Sequence, residues 1–195
     1  MEPTVAAEVV RFLQAEKLDV LVIGDAAMEA QGFGATDDVG LLLTVEGFDQ
    51  SVSLLERQPR VQRFVSVGKV TAGGWLVTER GRVKFDLLSA CRFSGTRGGG
   101  ALFQYLKARY SFHSTAGPTL RPAAVWYLRL VPGSETALSK ILRDLRQHSP
   151  RSWRAGVLRI ADHFGTRAQV LAGLERLDEL GRLTRVRTRA GGTRA

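Results

Sequence analysis

Apolar runs too short for helices alternate along this chain with stretches of helical period, and the punctuation between them is mostly glycine and charge. Val20 to Ile23 has the pattern of a buried strand that stops at Gly24, where the backbone is free to turn sharply. Ala26 to Gln31 suits a helix. Leu41 to Val45 is the next strand, and the preceding Thr36-Asp37-Asp38 places acids where that strand begins. Gly74 to Glu79 and Arg82 to Leu88 are β-rich runs separated by Arg80-Gly81, which predicts a hairpin whose second strand carries Asp86.

Beyond the hairpin the period changes. Ser89 to Thr119 is punctuated by Gly95, Gly98, Gly99, Gly100 and Gly117-Pro118 and reads as a mobile connector followed by a helix at Ala101 to Tyr110. Glu135 to Gln147 is an amphipathic helix with Ser134 as N-cap and Leu138, Ile141, Leu142 and Leu145 on one side. Trp153 to Phe164 repeats the habit and ends at Gly165, and Arg167 to Leu180 follows and stops at Gly181. Leu183 to Thr188 alternates as a strand does, before a tail of Gly and Arg expected to be disordered.

The first half resembles the nucleotidyltransferase superfamily, which includes minimal nucleotidyltransferases and toxin partners of toxin–antitoxin systems. Its pattern is a strand ending in Gly-Gly or Gly-Ser, a helix, an Arg-x-Thr-x-Asp-x-Asp segment on the next strand, and a third Asp on a later one. Here Gly24-Asp25 stands at the glycine pair, Gly34 to Gly40 lies on the motif segment, and VKFDLL supplies Asp86. The resemblance implies an α+β fold, a mixed sheet flanked by helices, and transfer of a nucleoside monophosphate from a nucleoside triphosphate to a hydroxyl on RNA, DNA or protein. It implies Asp38 and Asp86 as catalytic ligands of Mg²⁺, and Gly24, Asp25 and Thr36 beside the triphosphate. LSKILRDL, with Lys140, Arg143 and Asp144, resembles the Lys and Arg-Asp pair that toxin-type members bring to the site, which adds Lys140 to the nucleotide-binding set.

Three departures bear on the chemistry: Gly34 replaces the usual Arg, Asp25 a small residue, and Gly40 the second Asp. Positions 38 and 40 share one face of a strand, so an Asp-x-Asp pair would set two carboxylates side by side, and this chain offers one. Mg²⁺ requires near-octahedral oxygen coordination, and two-metal phosphoryl chemistry needs ions about 3.5 to 4 Å apart. Asp38 and Asp86 suffice for one ion through a nucleotide's phosphates. Asp25 is the candidate for a further ligand, whereas the pleat turns Asp37 to the other face. Asp25 would equally repel a triphosphate, and no lysine in its segment offsets it.

The expectation is therefore a nucleotidyltransferase core with impaired or lost Mg²⁺-dependent transfer. Asp25, Asp38 and Asp86 should converge beside the first glycine turn, with the opening strand next to the one bearing Asp86. Taken singly, Asp38 also reads as a turn or cap acid beside Thr36, and Asp86 as a strand residue ion-paired to Lys84 or Arg82.

With 195 residues, 44% hydrophobic and 24% charged, the composition is that of a globular chain. No apolar run approaches membrane-spanning length, and MEPTVAAEVVRF lacks the basic start and apolar centre of a signal peptide, so a cytoplasmic protein without a membrane partner is expected. The single Cys91 excludes an internal disulfide and a cysteine-rich zinc site, and His113, His148 and His163 form no helical metal pair.

Charge is segregated. Residues 1–50 hold 2 basic and 10 acidic groups, residues 51–150 hold 16 and 5, and residues 151–195 hold 10 and 4, giving −8, +11 and +6 toward the overall +9. Acids gather around the proposed cleft and bases lie behind it, which favours RNA or DNA as partner. A surface in which Arg merely fills polar positions is the plainer reading, and a protein partner stays open. The segment IADHFGTRAQVLAGLERLDELGRLTRVR resembles the second and third helices and first wing strand of a winged helix. Arg167, Gln169 and Arg176 would then face nucleic acid, with Arg185 and Arg187 on the wing; an ordinary helical bundle is the alternative. The expected domains are a core over residues 1–120, a helical domain over 121–188, and a tail over 189–195.

Overall fold

The computed structural model describes residues 5–34, 38–78, 81–94, 97–148 and 152–191. In chain order the elements are α1 (Val5–Ala15), β1 (Leu21–Ile23), α2 (Gly24–Glu29), β2 (Asp38–Leu43), α3 (Val45–Leu55), β3 (Val61–Val67), β4 (Thr71–Thr78), β5 (Gly81–Ser89), α4 (Gly99–Tyr110), β6 (Ser111–Ser114), β7 (Gly117–Leu120), α5 (Pro122–Leu130), α6 (Glu135–Gln147), α7 (Trp153–Phe164) and α8 (Arg167–Gly191). The strands form a seven-stranded sheet in the order β3-β4-β5-β2-β1-β7-β6. β2 runs parallel to β5 and β1 parallel to β7, and the other neighbours are antiparallel, so the chain is a mixed α+β protein.

Register decides which residues meet. On β2 and β5 the partners are Asp38 with Lys84, Gly40 with Asp86 and Leu42 with Leu88. On β4 and β5, Gly73 faces Asp86 and Trp75 faces Lys84. Burial alternates along both strands, with Ala72, Leu76, Val83, Phe85 and Leu87 buried and Trp75, Arg82, Lys84 and Asp86 left open to varying degrees. The buried face packs on α3, where Phe48 is 1% exposed and Thr44 Oγ1 caps the helix by accepting from the Gly47 amide. β1 is apolar on both faces because helices lie over it, and Val22 pairs with Thr119 of β7 on its other edge.

The chain turns from β1 into α2 at Gly24, whose φ of +66° is the conformation glycine adopts without strain. α2 therefore begins at Gly24, two residues ahead of the expected Ala26. β2 ends at Leu43, and Val45, expected in the strand, opens α3 instead. The sequence-based expectation that β1 adjoins the strand of Asp86 is corrected: β2 lies between β1 and β5.

The C-terminal segment departs further. Gly181 does not stop the third helix. α8 runs on to Gly191, so Leu183 to Thr188, expected as a wing strand, is helical, and the winged-helix reading fails there. A single interior glycine costs a helix only about 1 kcal/mol, and at Gly181 the Leu142 Cδ2 atom lies 3.5 Å from where a Cβ would sit, an ordinary packing distance. The tail expected over residues 189–195 lies partly inside α8 and partly outside the described residues. Among the described residues no helix is long and apolar enough to cross a membrane.

Candidate functional site

Two clusters of charge form where the motif residues fall. The first is on the open face of the sheet. Parallel pairing of β2 and β5 sets Asp38, Lys84, Gly40 and Asp86 on neighbouring rungs of one face. Lys84 Nζ donates to Asp38 Oδ2 at 2.9 Å and lies 3.9 Å from Asp86 Oδ2. The hydrogen bond from the Lys84 ammonium to Asp38 raises the lysine's pKa, a gain that outweighs the opposing effect of partial burial, and the charge of Asp86 adds to it. Asp38 and Asp86 are thus brought together as expected, but around an ammonium. The ion-paired alternative for Asp86 is the one the structure contains, and Asp38 sits within β2 rather than acting as a turn acid.

This donor set does not fit Mg²⁺. The ion needs several oxygens at about 2.0 to 2.1 Å, and here a positive nitrogen takes the place between the two carboxylates. Among the described residues no group of three or more His, Cys, Asp or Glu is placed to hold a metal. The position that would carry the second motif acid is Gly40, and it is tight: a Cβ there would lie 3.2 Å from Ile23 Cγ1 and 3.3 Å from the Ile23 carbonyl oxygen, so Ile23 would have to give by a few tenths of an ångström. At Gly73 a Cβ would meet Asp86 Oδ1 at 2.6 Å, so the glycine leaves room for that carboxylate.

The second cluster surrounds Asp25. Its carboxylate accepts from Arg129 Nη2 at 2.7 Å, Lys140 Nζ at 2.5 Å and Arg143 Nη2 at 2.8 Å. Arg129 also donates through Nη1 to Asp144 Oδ2, and Arg143 donates to Asp144 Oδ1 through Nη2 at 3.1 Å. The Trp126 indole donates to Asp144 as well, at 3.3 Å. Two acids and two arginines therefore close a ring, with Lys140 beside it. Asp144 is fully buried and Arg129 is 8% exposed, whereas Lys140 and Arg143 reach water at 38% and 46%. Among the described residues no buried side-chain nitrogen or oxygen lacks a hydrogen-bond partner, so the ring is complete in itself.

Burial pushes the Asp25 carboxyl upward, but the hydrogen bonds from Lys140 and Arg143 and the charge of Arg129 outweigh it and hold the pKa below its ordinary value. Asp25 thus does not join Asp38 and Asp86. That correction has a plain cause: Asp25 lies in the first turn of α2 and is drawn to cations delivered by α5 and α6. No lysine of its own segment offsets the charge of Asp25; the groups that do are 104 to 118 residues away in sequence.

Gly24 and Lys140 do meet, both lining a cavity of about 250 Å³ with Arg92, Phe93, Leu128 and Arg129. Thr36 lies outside the described residues, as does Asp37. Sequence reasoning missed Arg129. Its signal is present in PAAVWYLRL, where one arginine interrupts an apolar run: Ala124 through Leu130 are all buried, and a buried guanidinium requires acidic partners.

The expected nucleic-acid residues of the C-terminal helices fall on more than one side of α8. Arg167 is ion-paired to Asp162 at 2.6 Å. At about 100° per residue, Gln169 and Arg176 fall on a different side of α8 from Arg167. Arg176 lines a crevice with Glu135 and Glu179. Arg185 and Arg187 belong to the helical backbone of α8 and not to a wing.

No protein-family model matches this chain, and no curated protein matches it. A similar solved structure is a Thermotoga maritima protein described as a "putative nucleotidyltransferase"; it is 16% identical, the match covers 72% of this chain and 92% of that one, and the TM-score is 0.41.

Proposed function

We propose that this chain is a nucleotidyltransferase-like protein in which ion pairs have replaced the metal-dependent transfer site, and that it acts by binding nucleic acid through its cationic surface. The observation that carries the first part is the Lys84 ammonium between Asp38 and Asp86. A cation fixed there offsets one of the two negative charges that would grip Mg²⁺, and a side chain at Gly40, where the motif's second acid would stand, would press on Ile23. The ring of Asp25, Arg129, Asp144 and Arg143 likewise ties the first glycine turn to α5 and α6, so charges that could meet a triphosphate hold helices together instead.

The second part is supported by the formal charge of +9. Asp19, Asp25, Asp38, Asp86, Asp144, Asp162 and Asp178 are all engaged in internal ion pairs, and many arginines remain on the exterior.

Incubation with labelled nucleoside triphosphates, Mg²⁺ or Mn²⁺ and total RNA gives no transfer, while the RNA is retained on a filter with the protein at low salt and released at high salt. Transfer that an Asp38→Ala change abolishes would overturn the first part. Failure to retain RNA at low salt would overturn the second.

A further inference from the structure

We infer that the uncovered face of β3, β4 and β5 binds single-stranded nucleic acid, using Trp75 as a stacking platform between cations. The inference rests on the nucleic-acid reading above and names the surface and strand class.

The pleat sorts this part of the sheet into two unlike faces. One carries Ala72, Leu76, Val83 and Phe85, all buried, and on β5 it packs against α3. The other carries Thr71, Gly73, Trp75 and Val77 of β4 beside Arg82, Lys84, Asp86 and Leu88 of β5. Trp75 is 36% exposed, and on the adjoining edge strand Val65, registered with Gly73, and Val67, registered with Thr71, are 60% and 64% exposed. Large apolar side chains gathered on one open sheet face mark a binding surface more often than single scattered ones do.

Charge argues for the occupant. Arg82 stands on β5 opposite Val77 at one end of the platform. Arg60 reaches the same end, donating through Nε to the Val77 carbonyl at 2.9 Å. At the other end Arg92 donates to Thr71 Oγ1 at 2.7 Å. Asp86 faces the same platform, and Lys84, 3.9 Å away, offsets part of its charge, leaving the three arginines in excess. From Val77 to Thr71 the strand spans on the order of 20 Å, room for about 4 nucleotides, the small end of known single-strand sites.

An indole flanked by backbone-binding arginines suits unpaired bases. In a duplex both faces of each base are already stacked, so an upright aromatic on a flat sheet finds no partner there except at an end. In a single strand every base offers a π-face, which makes such binding tolerant of sequence.

The test is fluorescence anisotropy with a labelled single-stranded oligouridylate, an oligothymidylate of equal length, and a blunt duplex, together with quenching of tryptophan emission. Both single strands bind more tightly than the duplex and quench emission. Trp75→Ala weakens single-strand binding by at least about five-fold, Arg82→Glu weakens it and flattens its salt dependence, and Leu171→Ala on the exposed side of α8 changes neither. Both altered residues are exposed, and thermal melting checks that the variants fold.

If the wild-type protein binds no nucleic acid at low salt, the underlying reading and this inference fall together. If it binds but Trp75→Ala and Arg82→Glu are silent, only the sheet face is refuted. Equal affinity for the duplex, or a dimer in solution that Trp75→Ala dissociates, overturns the inference in favour of duplex electrostatics or of a protein partner.

Discussion

Lys84 and Asp38 are registered partners across β5 and β2, and the ammonium of one sits 2.9 Å from the carboxylate of the other. The pairing of two parallel strands therefore delivers a positive charge to the place where neighbouring carboxylates would otherwise repel each other. Removing that charge while keeping the stem should expose the acids. A Lys84→Met variant is expected to gain affinity for Mn²⁺ by at least about ten-fold over wild type, a change of about 1.4 kcal/mol. Electron paramagnetic resonance of free Mn²⁺ measures it, and an unchanged free-ion signal would show that the lysine does not compete with a cation.

Gly40 carries the most easily checked steric expectation. Its missing Cβ would press on Ile23 in the neighbouring strand. Gly40→Ala is expected to destabilise by about 1 to 3 kcal/mol, the usual cost of overpacking a core. A urea midpoint that does not fall would show that β1 and β2 can part at no cost. Restoring the motif by Gly40→Asp meets the same obstacle, so any recovered metal affinity comes with lost stability.

The Asp25 network predicts a pH dependence with a definite sign. The pKa of Asp25 in the folded state lies below its ordinary 3.8. Its contribution to stability is thus present above that ordinary value and is lost as pH falls through the folded one. At neutral pH, Asp25→Asn removes the shared acceptor of Arg129, Lys140 and Arg143 and should cost about 3 kcal/mol, the lower end for a broken buried pair because two of the partners reach water. That corresponds to roughly 6 to 12 °C in melting temperature for a chain of this size. The gap between wild type and variant should narrow in melts below pH 4, and a constant gap across that range would refute the linkage.

Tyr127 titrates at the opposite end of the scale. Burial pushes its phenol up to about 12, against a smaller opposing effect of the hydrogen bond to Thr166. Its hydroxyl donates to the Phe93 carbonyl at 2.6 Å and lies 3.1 Å from Thr166 Oγ1. A raised folded pKa means stability that is complete below about 10 and lost as pH climbs through about 12. Tyr127→Phe should cost about 1 to 3 kcal/mol at neutral pH by leaving the carbonyl unpaired, and chemical denaturation from pH 9 to 11.5 should then show a shallower alkaline decline. An equally steep decline would assign the alkaline loss to other groups.

The fully buried Asp144 is the strictest test of the ring. Asp144→Ala takes away one of the two acidic partners of Arg129, which is 8% exposed and keeps Asp25, and should cost about 3 kcal/mol. Pairing it with Arg129→Met should recover part of that loss, because an apolar side chain of similar length replaces a buried charge left with Asp25 alone. A double variant no more stable than Asp144→Ala alone would mean that the ring serves shape more than charge.

Local pattern made much of the scaffold legible. The β-branched run before Gly24, the β4–β5 hairpin, the Ser134 cap and the apolar stripe of α6 each follow from residues close together in sequence, where period and turn chemistry act directly. The same locality explains the errors. Gly181 reads as a helix stop until Leu142 packs against it, and Leu183 to Thr188 reads as a strand until α8 carries it onward. The edge strand β3 and the buried helix α5 are short elements whose identity depends on what covers them.

The sequence by itself determined which charges this protein owns and which of them stand two apart on a strand: it put Asp38 and Gly40 on one face and announced Asp86 with Lys84 two residues before it. Only the tertiary structure decided who answers whom. Parallel pairing of β2 with β5 turned two acids and a lysine into one cluster, and the docking of α5 and α6 brought Arg129, Lys140 and Arg143 onto an acid more than a hundred residues earlier. Side-chain period is a property of a few consecutive residues, whereas ion pairing depends on distance in space, which the fold alone sets.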